Sequence, residues 1–70
     1  EYDELQKMVD QTINRLPERR QQIFRMHRFE GMKYADIAST LSLSVKTVEA
    51  EMTKALQELR KEVNRYTDIR

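Results

Sequence analysis

The residues of this chain best placed to do chemistry are Lys46, Thr47, Glu49, Ala50, Thr53 and Lys54, and the chemistry they suit is hydrogen bonding to base edges rather than bond-making. A lysine ammonium donates to guanine O6 and N7. A glutamate carboxylate accepts from cytosine N4. The methyl groups of Ala50 and Thr53 can meet a thymine methyl. Ala50, in the middle of the set, lets a helix approach closely. Just ahead of it stands Ser44, a good N-cap residue. Its hydroxyl and the free N–H groups of a helix start can together hold a phosphate. Tyr34 can stack on a sugar or reach a phosphate, or it can simply cover the edge of the core.

Enzymatic chemistry finds no support among the remaining residues. The chain has no Cys and a single His, His27, so neither a thiolate metal site nor a disulfide framework can form. No nucleophile–base set, Gly-rich phosphate loop or metal-ligand spacing is present. His27 therefore reads as a partly buried polar residue, and the Met residues as core filler. No cofactor is expected.

The base-reading set needs a helix that is held outward, and residues 31–59 have the layout to do this. A short helix, Tyr34 to Leu41, precedes a tight connector of Ser42, Leu43 and Ser44, and a longer helix starts near Val45. Ile37, Ala38 and Leu41 form the apolar stripe of the first, and Val48, Met52, Ala55, Leu56 and Leu59 that of the second. Leu43 can plug the gap between them. This is a helix-turn-helix, whose second helix enters a DNA major groove. Glu49 can read cytosine or repel wrong sequences. Glu51 can pair with Lys54 or stand in solvent.

Two further helices precede this unit. The first spans about Asp3 to Arg15, with Leu5, Met8, Val9, Thr12, Ile13 and Leu16 at helical spacing. Its acidic start and its Arg15 suit the helix dipole. Pro17 belongs in the first turn of the second helix, which runs to about Glu30 with Ile23, Phe24, Met26 and Phe29 as its apolar set. Gly31 supplies a left-handed stop. The last helix can reach Tyr66, with residues 67–70 fraying. The fold class is all-α: four helices, the recognition helix last, in one domain over residues 1–70 with its helix-turn-helix core at about 33–60. The chain reads as part of something longer.

Charge is unevenly distributed. The net charge is only +1, yet residues 1–10 carry Glu1, Asp3, Glu4 and Asp10 against Lys7, which leaves the surplus of cations downstream. Arg15, Arg19, Arg20, Arg25, Arg28 and Lys33 form a moderate basic group. Modest DNA affinity with a real salt dependence follows. Arg19 and Arg20 read as a solvated helix start, with Arg19 able to pair with a carboxylate of the third or fourth helix such as Asp36. No apolar run approaches the roughly 20 residues that span a membrane, and the expected location is the cytoplasm.

An ordered set of fragments now stands out: Leu16-Pro17-Glu18-Arg19, Ile23-Phe24, Phe29-Glu30-Gly31, Asp36-Ile37-Ala38, Ser44-Val45-Lys46-Thr47-Val48, Lys54-Ala55-Leu56 and Leu59-Arg60. Together they resemble region four of bacterial sigma factors, closest to the extracytoplasmic-function group, over residues from about 5 to 62. The resemblance implies the C-terminal domain of a promoter-specificity subunit that reads the −35 element through the helix beginning at Val45. It also implies contact with the β flap of the RNA polymerase core and, in many members, masking by an anti-sigma factor. Carried over by residue, it places Lys46, Thr47, Glu49, Ala50, Thr53 and Lys54 at the bases, and Arg28, Lys33 and Tyr34 near phosphates. Many members have Arg where Glu49 and Glu51 stand, so the target sequence does not carry over. Many have Ser where Lys33 stands, so the third helix loses that cap and can gain a phosphate contact.

Two other readings use the same residues. A response-regulator output domain shares the Gly31 to Val48 pattern, but Leu16-Pro17 and the ending from Ala55-Leu56 to Leu59-Arg60 look like sigma factors, and the response-regulator domain usually pairs on DNA, whereas a sigma domain in isolation is expected to be a monomer. A protein-interaction module would instead use Leu5, Met8, Val9, Ile23 and Phe29 as an apolar groove for a partner helix.

Overall fold

In the computed structural model, which describes residues 2–67, the chain forms four helices: α1 (Tyr2–Arg15), α2 (Glu18–Arg28), α3 (Tyr34–Leu41) and α4 (Val45–Thr67). No strand occurs among the described residues. The expected four-helix, all-α arrangement is therefore the one observed, and α3 has its expected bounds. The expected fraying at Thr67 is not seen, because α4 includes that residue; residues 68–70 lie outside the described range.

The breaks between helices follow from local chemistry. Pro17 stands one position earlier than expected. It is the N-cap of α2, with φ −52° and ψ 147°, and its carbonyl accepts the Gln21 N–H at 2.8 Å. An extended ψ before the first helical residue turns the chain sharply, and proline's fixed φ suits it. α2 ends at Arg28, two residues short of the expected Glu30. The reversal comes later, at Gly31 with φ +70°, after which the Met32 N–H reaches back to the Met26 carbonyl at 3.0 Å.

α3 closes in a Schellman pattern. Ser42 adopts the left-handed conformation at φ 58°, and the Leu43 N–H bonds the Ala38 carbonyl at 2.8 Å. Leu43 packs half-buried against the core, as a plug between α3 and α4 should. α4 begins on a well-formed cap: the Thr47 N–H donates to Ser44 Oγ at 3.0 Å and the Val48 N–H to the Ser44 carbonyl at 3.1 Å.

α4 packs against all three other helices and organises the core. Val48, Met52 and Ala55 share one buried cluster with Ile37 and Ala38 of α3, Ile23, Phe24 and Met26 of α2, Ile13 of α1 and Leu16 just after it. Thr12 is buried among them and settles its hydroxyl on the Met8 carbonyl at 2.9 Å. Two expected core residues are instead exposed. Leu56 is 45% exposed and Phe29 60%. At about 100° per residue, Leu56 lies about 80° around α4 from Val48, on the margin of the buried stripe. Phe29 follows the last helical residue of α2, so the α2 stripe does not carry it inward.

Candidate nucleic-acid interface

The cap at Ser44 sets the geometry of the α4 start. Ser44 Oγ also donates to Thr47 Oγ1 at 2.9 Å. Its hydroxyl is thus engaged within the cap, and the N–H groups of Val45 and Lys46 are those left without an intrahelical acceptor. They carry the positive end of the helix dipole, where an anion is favoured.

Beyond the cap, Lys46, Glu49, Ala50, Thr53 and Lys54 are all exposed, while Val48, Met52 and Ala55 are buried beneath them. Thr47 is half-buried beside the cap. The helical period therefore brings the candidate base-reading residues onto one outward side of α4. Lys33 is exposed at the start of α3 and makes no side-chain cap, as expected for Lys in a position that many relatives fill with Ser. Tyr34 packs half-buried against the core, its ring centroid 4.8 Å from that of His27. Of its two readings, the ring follows the second, covering the core edge.

His27 is exposed rather than partly buried as expected. Its Nδ1 lies 3.0 Å from the Met32 carbonyl oxygen. A carbonyl only accepts, so Nδ1 carries the proton of this bond. The ring ties the loop after α2 to the start of α3. No group of three or more His, Cys, Asp or Glu side chains among the described residues could hold a metal ion.

The two glutamates of α4 differ sharply. Glu49 is exposed on the outward side. Glu51 turns toward α2, with its side chain 14% exposed, and neither pairs with Lys54 nor stands in solvent. Arg20 Nε donates to Glu51 Oε1 at 2.8 Å, and Arg19 Nη2 lies 3.5 Å from Oε2. Arg19 thus meets a helix-four carboxylate, Glu51, in place of Asp36. The hydrogen bond from Arg20 is the main cause holding the Glu51 carboxyl below its ordinary 4.5. Burial opposes it, and the charges of Arg20, Arg19 and Lys54 add to it.

Several cations of the expected basic group are spent in this way. Arg25 bonds Gln21 Oε1 at 3.1 Å and also Asn14, and its guanidinium lies 5.9 Å from the centre of the Phe29 ring. The exposed side of α4 instead continues past Gln57 to Arg60, Lys61, Asn64 and Arg65, which line a shallow open recess. Sequence reading missed these last four. Their i+3, i+4, i+7 and i+8 spacing from Gln57 was the available signal.

A groove of about 510 Å³ opens between α1, α2 and α4, with Val9, Phe24, Phe29, Leu56 and Leu59 among its lining residues. Two of the three exposed large apolar side chains among the described residues, Phe29 and Leu56, therefore meet in one place, while the third, Val45, stands at the start of α4. Of the expected partner-facing residues, Val9 and Phe29 line this groove and Leu5 and Met8 stand half-buried on α1 outside it. Ile23 is a correction: at 0% exposure it supports the core from inside and offers nothing to a partner.

A helix-turn-helix with an outward polar side on its second helix defines a class of DNA-binding domain. Within that class the chain belongs to the sigma-70 region 4 family, whose model matches residues 6–59. That family is one of transcription factors rather than enzymes. The chain is also 36% identical over 59 residues to the RNA polymerase sigma-H factor of Pseudomonas aeruginosa, a match that covers 84% of this chain and 31% of that relative. The matched residues include the Leu16-Pro17 break and Leu59, both parts of the sigma-like pattern.

Proposed function

We propose that this domain reads promoter DNA at the −35 element, as the DNA-binding end of a longer sigma factor of the extracytoplasmic-function group. One observation carries the reading: Lys46, Glu49, Ala50, Thr53 and Lys54 share an exposed side of a helix whose other side is the core of the domain. Ser44 shapes the helix start for a backbone phosphate. Lys33 and Tyr34 flank it at the start of α3, and Thr47 steadies the cap. Base pairs are read in the major groove by the side chains after the cap, and the phosphates set the register.

The groove between α1, α2 and α4 is the surface that suits a partner. Its exposed Phe29 and Leu56 offer an apolar helix two anchors, which fits the β flap of the RNA polymerase core or an anti-sigma factor competing for the same place. The isolated domain is a cytoplasmic monomer that needs no cofactor, and the described residues contain no helix long and apolar enough to cross a membrane.

The test is a binding selection at low salt against a random duplex library, with Lys54→Ala in parallel. Enrichment of one short asymmetric motif, weakened in the variant, is the expected result. A palindromic motif would overturn the monomeric promoter reading, and so would a folded sample that enriches nothing even when joined to polymerase.

A further inference from the structure

The contact between Glu51 and the start of α2 sits beside the proposed DNA-facing side of α4 but is not part of it. We propose that Glu51 is a positioning residue: clamped by Arg20 and Arg19, it fixes the rotation of α4 about its own axis and so aims Lys46, Ala50 and Thr53 at the bases. This rests on the reading of α4 as the helix that meets DNA.

Three observations lead to it. First, the buried stripe by which α4 packs is narrow. Val48, Met52 and Ala55 are the buried residues of this helix. Val48 is its one stiff member, Ala55 contributes only a methyl group and Met52 is adaptable, so a directional polar contact adds to what packing sets for the roll of α4. Second, Glu51 is placed where a tether acts on roll. At about 100° per residue it stands about 60° from Val48, on the opposite margin from Leu56. The Leu56 margin faces the open groove. The Glu51 margin therefore carries the directional contact. Third, the contact has direction. Arg20 Nε meets Oε1 at 2.8 Å while Arg19 approaches the other oxygen, Oε2, at 3.5 Å. Two cations on the two carboxylate oxygens fix its plane more tightly than one would. Arg20 is itself only 23% exposed, so the stronger bond is partly sheltered from solvent and salt.

The clamp has an electrostatic consequence of opposite sign to its geometric one. Glu51 places a negative charge near DNA and occupies two arginines that would otherwise attract phosphates. Its removal should therefore raise affinity for any duplex. A positioning role requires that discrimination nevertheless falls.

The experiment compares the 70-residue chain with its Glu51→Gln variant in two ways. Residual dipolar couplings of backbone amides give the orientation of α4 relative to α2 without DNA. Affinities for the duplex enriched by the wild type and for a scrambled duplex give the specificity ratio. We expect α4 couplings in the variant to shift or average between Val45 and Ala55. We also expect the specificity ratio to fall about tenfold, the scale of one good base contact, while scrambled-duplex affinity holds or rises. The double exchange of Arg20→Glu with Glu51→Arg should restore part of both. A folded Glu51→Gln variant with wild-type couplings and an unchanged ratio would overturn the proposal. If that variant does not fold, Arg20→Gln, which leaves Arg19 on Glu51, takes its place with the same two readouts. If the wild type alone enriches no duplex, the affinity comparison is made with the chain joined to polymerase, where a second failure overturns the DNA reading, and the couplings alone still decide whether Glu51 orients α4.

Discussion

Charge at single positions on α4 has three fates, and each gives a different measurable response. Lys54 is exposed on the outward side, so Lys54→Ala should weaken promoter binding without altering thermal stability. If the ammonium meets a phosphate, the loss will be equal for all sequences and the slope of log K against log salt will fall by about 0.9. An equal slope with altered base preference would place Lys54 on a base edge instead. Glu51, whose carboxyl is held below 4.5, acts on stability. A depressed carboxyl contributes fully above its unfolded value, and the contribution disappears as pH falls through the folded value. Urea midpoints of wild type and Glu51→Gln should therefore differ at neutral pH and converge below pH 4.5, and parallel curves across that range would refute the assignment. At Val48, with 0% exposure, Val48→Asp buries a charge with no partner. A core this small supplies only about 3–5 kcal/mol, and several kcal/mol are lost to such a burial, so far-UV circular dichroism should show an unfolded chain.

Helix ends depend on a few backbone conformations, and two of them invite opposite substitutions. Gly31 has φ +70° and open space where a Cβ would stand. Gly31→Ala therefore meets no neighbour, and its cost is the left-handed conformation itself, about 1 kcal/mol. Ser42 holds the same region at φ 58° with a side chain present. Ser42→Gly should relieve a comparable strain and raise the melting temperature by a few degrees, less what glycine adds to unfolded-chain freedom. Denaturant melts of the two variants check both signs. These ends show how far sequence carries. α3 and the start of α4 were legible because Ser44 and the spacing of Ile37, Ala38, Val48 and Met52 are local signals that agree. The outward side of α4 was legible for the same reason. Ile23 and Phe29 were grouped in one apolar set although six residues put them about 120° apart on a helix, and Phe29, beyond the end of α2 at Arg28, stands outside while Ile23 is buried. Glu51 was misread because its partners lie at Arg19 and Arg20, more than thirty residues away. A side chain on the margin of a helical stripe takes its role from whatever helix lies opposite, and periodicity does not reveal that.

The whole molecule is elongated, 44 × 19 × 17 Å, because α4 has 23 residues and is far longer than the helices packed on it. One helix thereby serves two surfaces: its outward side meets DNA in the proposed function, and its inner margin at Leu56 borders the groove shared with α1 and α2. Leu56 follows Glu49 by about two turns on nearly the same line of α4, so the two surfaces adjoin along the helix, and a substitution at Leu56 tests whether they work separately. Leu56→Glu is the discriminating case. At 45% exposure Leu56 adds little to the core, so the variant should melt within a few degrees of wild type. Its new charge would stand beside Phe29 and Leu59 in an apolar recess, and an apolar helix docking there would have to desolvate it. That penalty is about 1–3 kcal/mol or more, so the proposed docking of the polymerase β flap should weaken tenfold or further, while selection of duplex DNA by the isolated domain continues unchanged. Calorimetric titration with a flap-derived helix, set beside the duplex selection, separates the two. Loss of DNA selection alone would mean that Leu56 supports the recognition helix after all. Unaltered flap binding would mean that polymerase docks elsewhere on the domain.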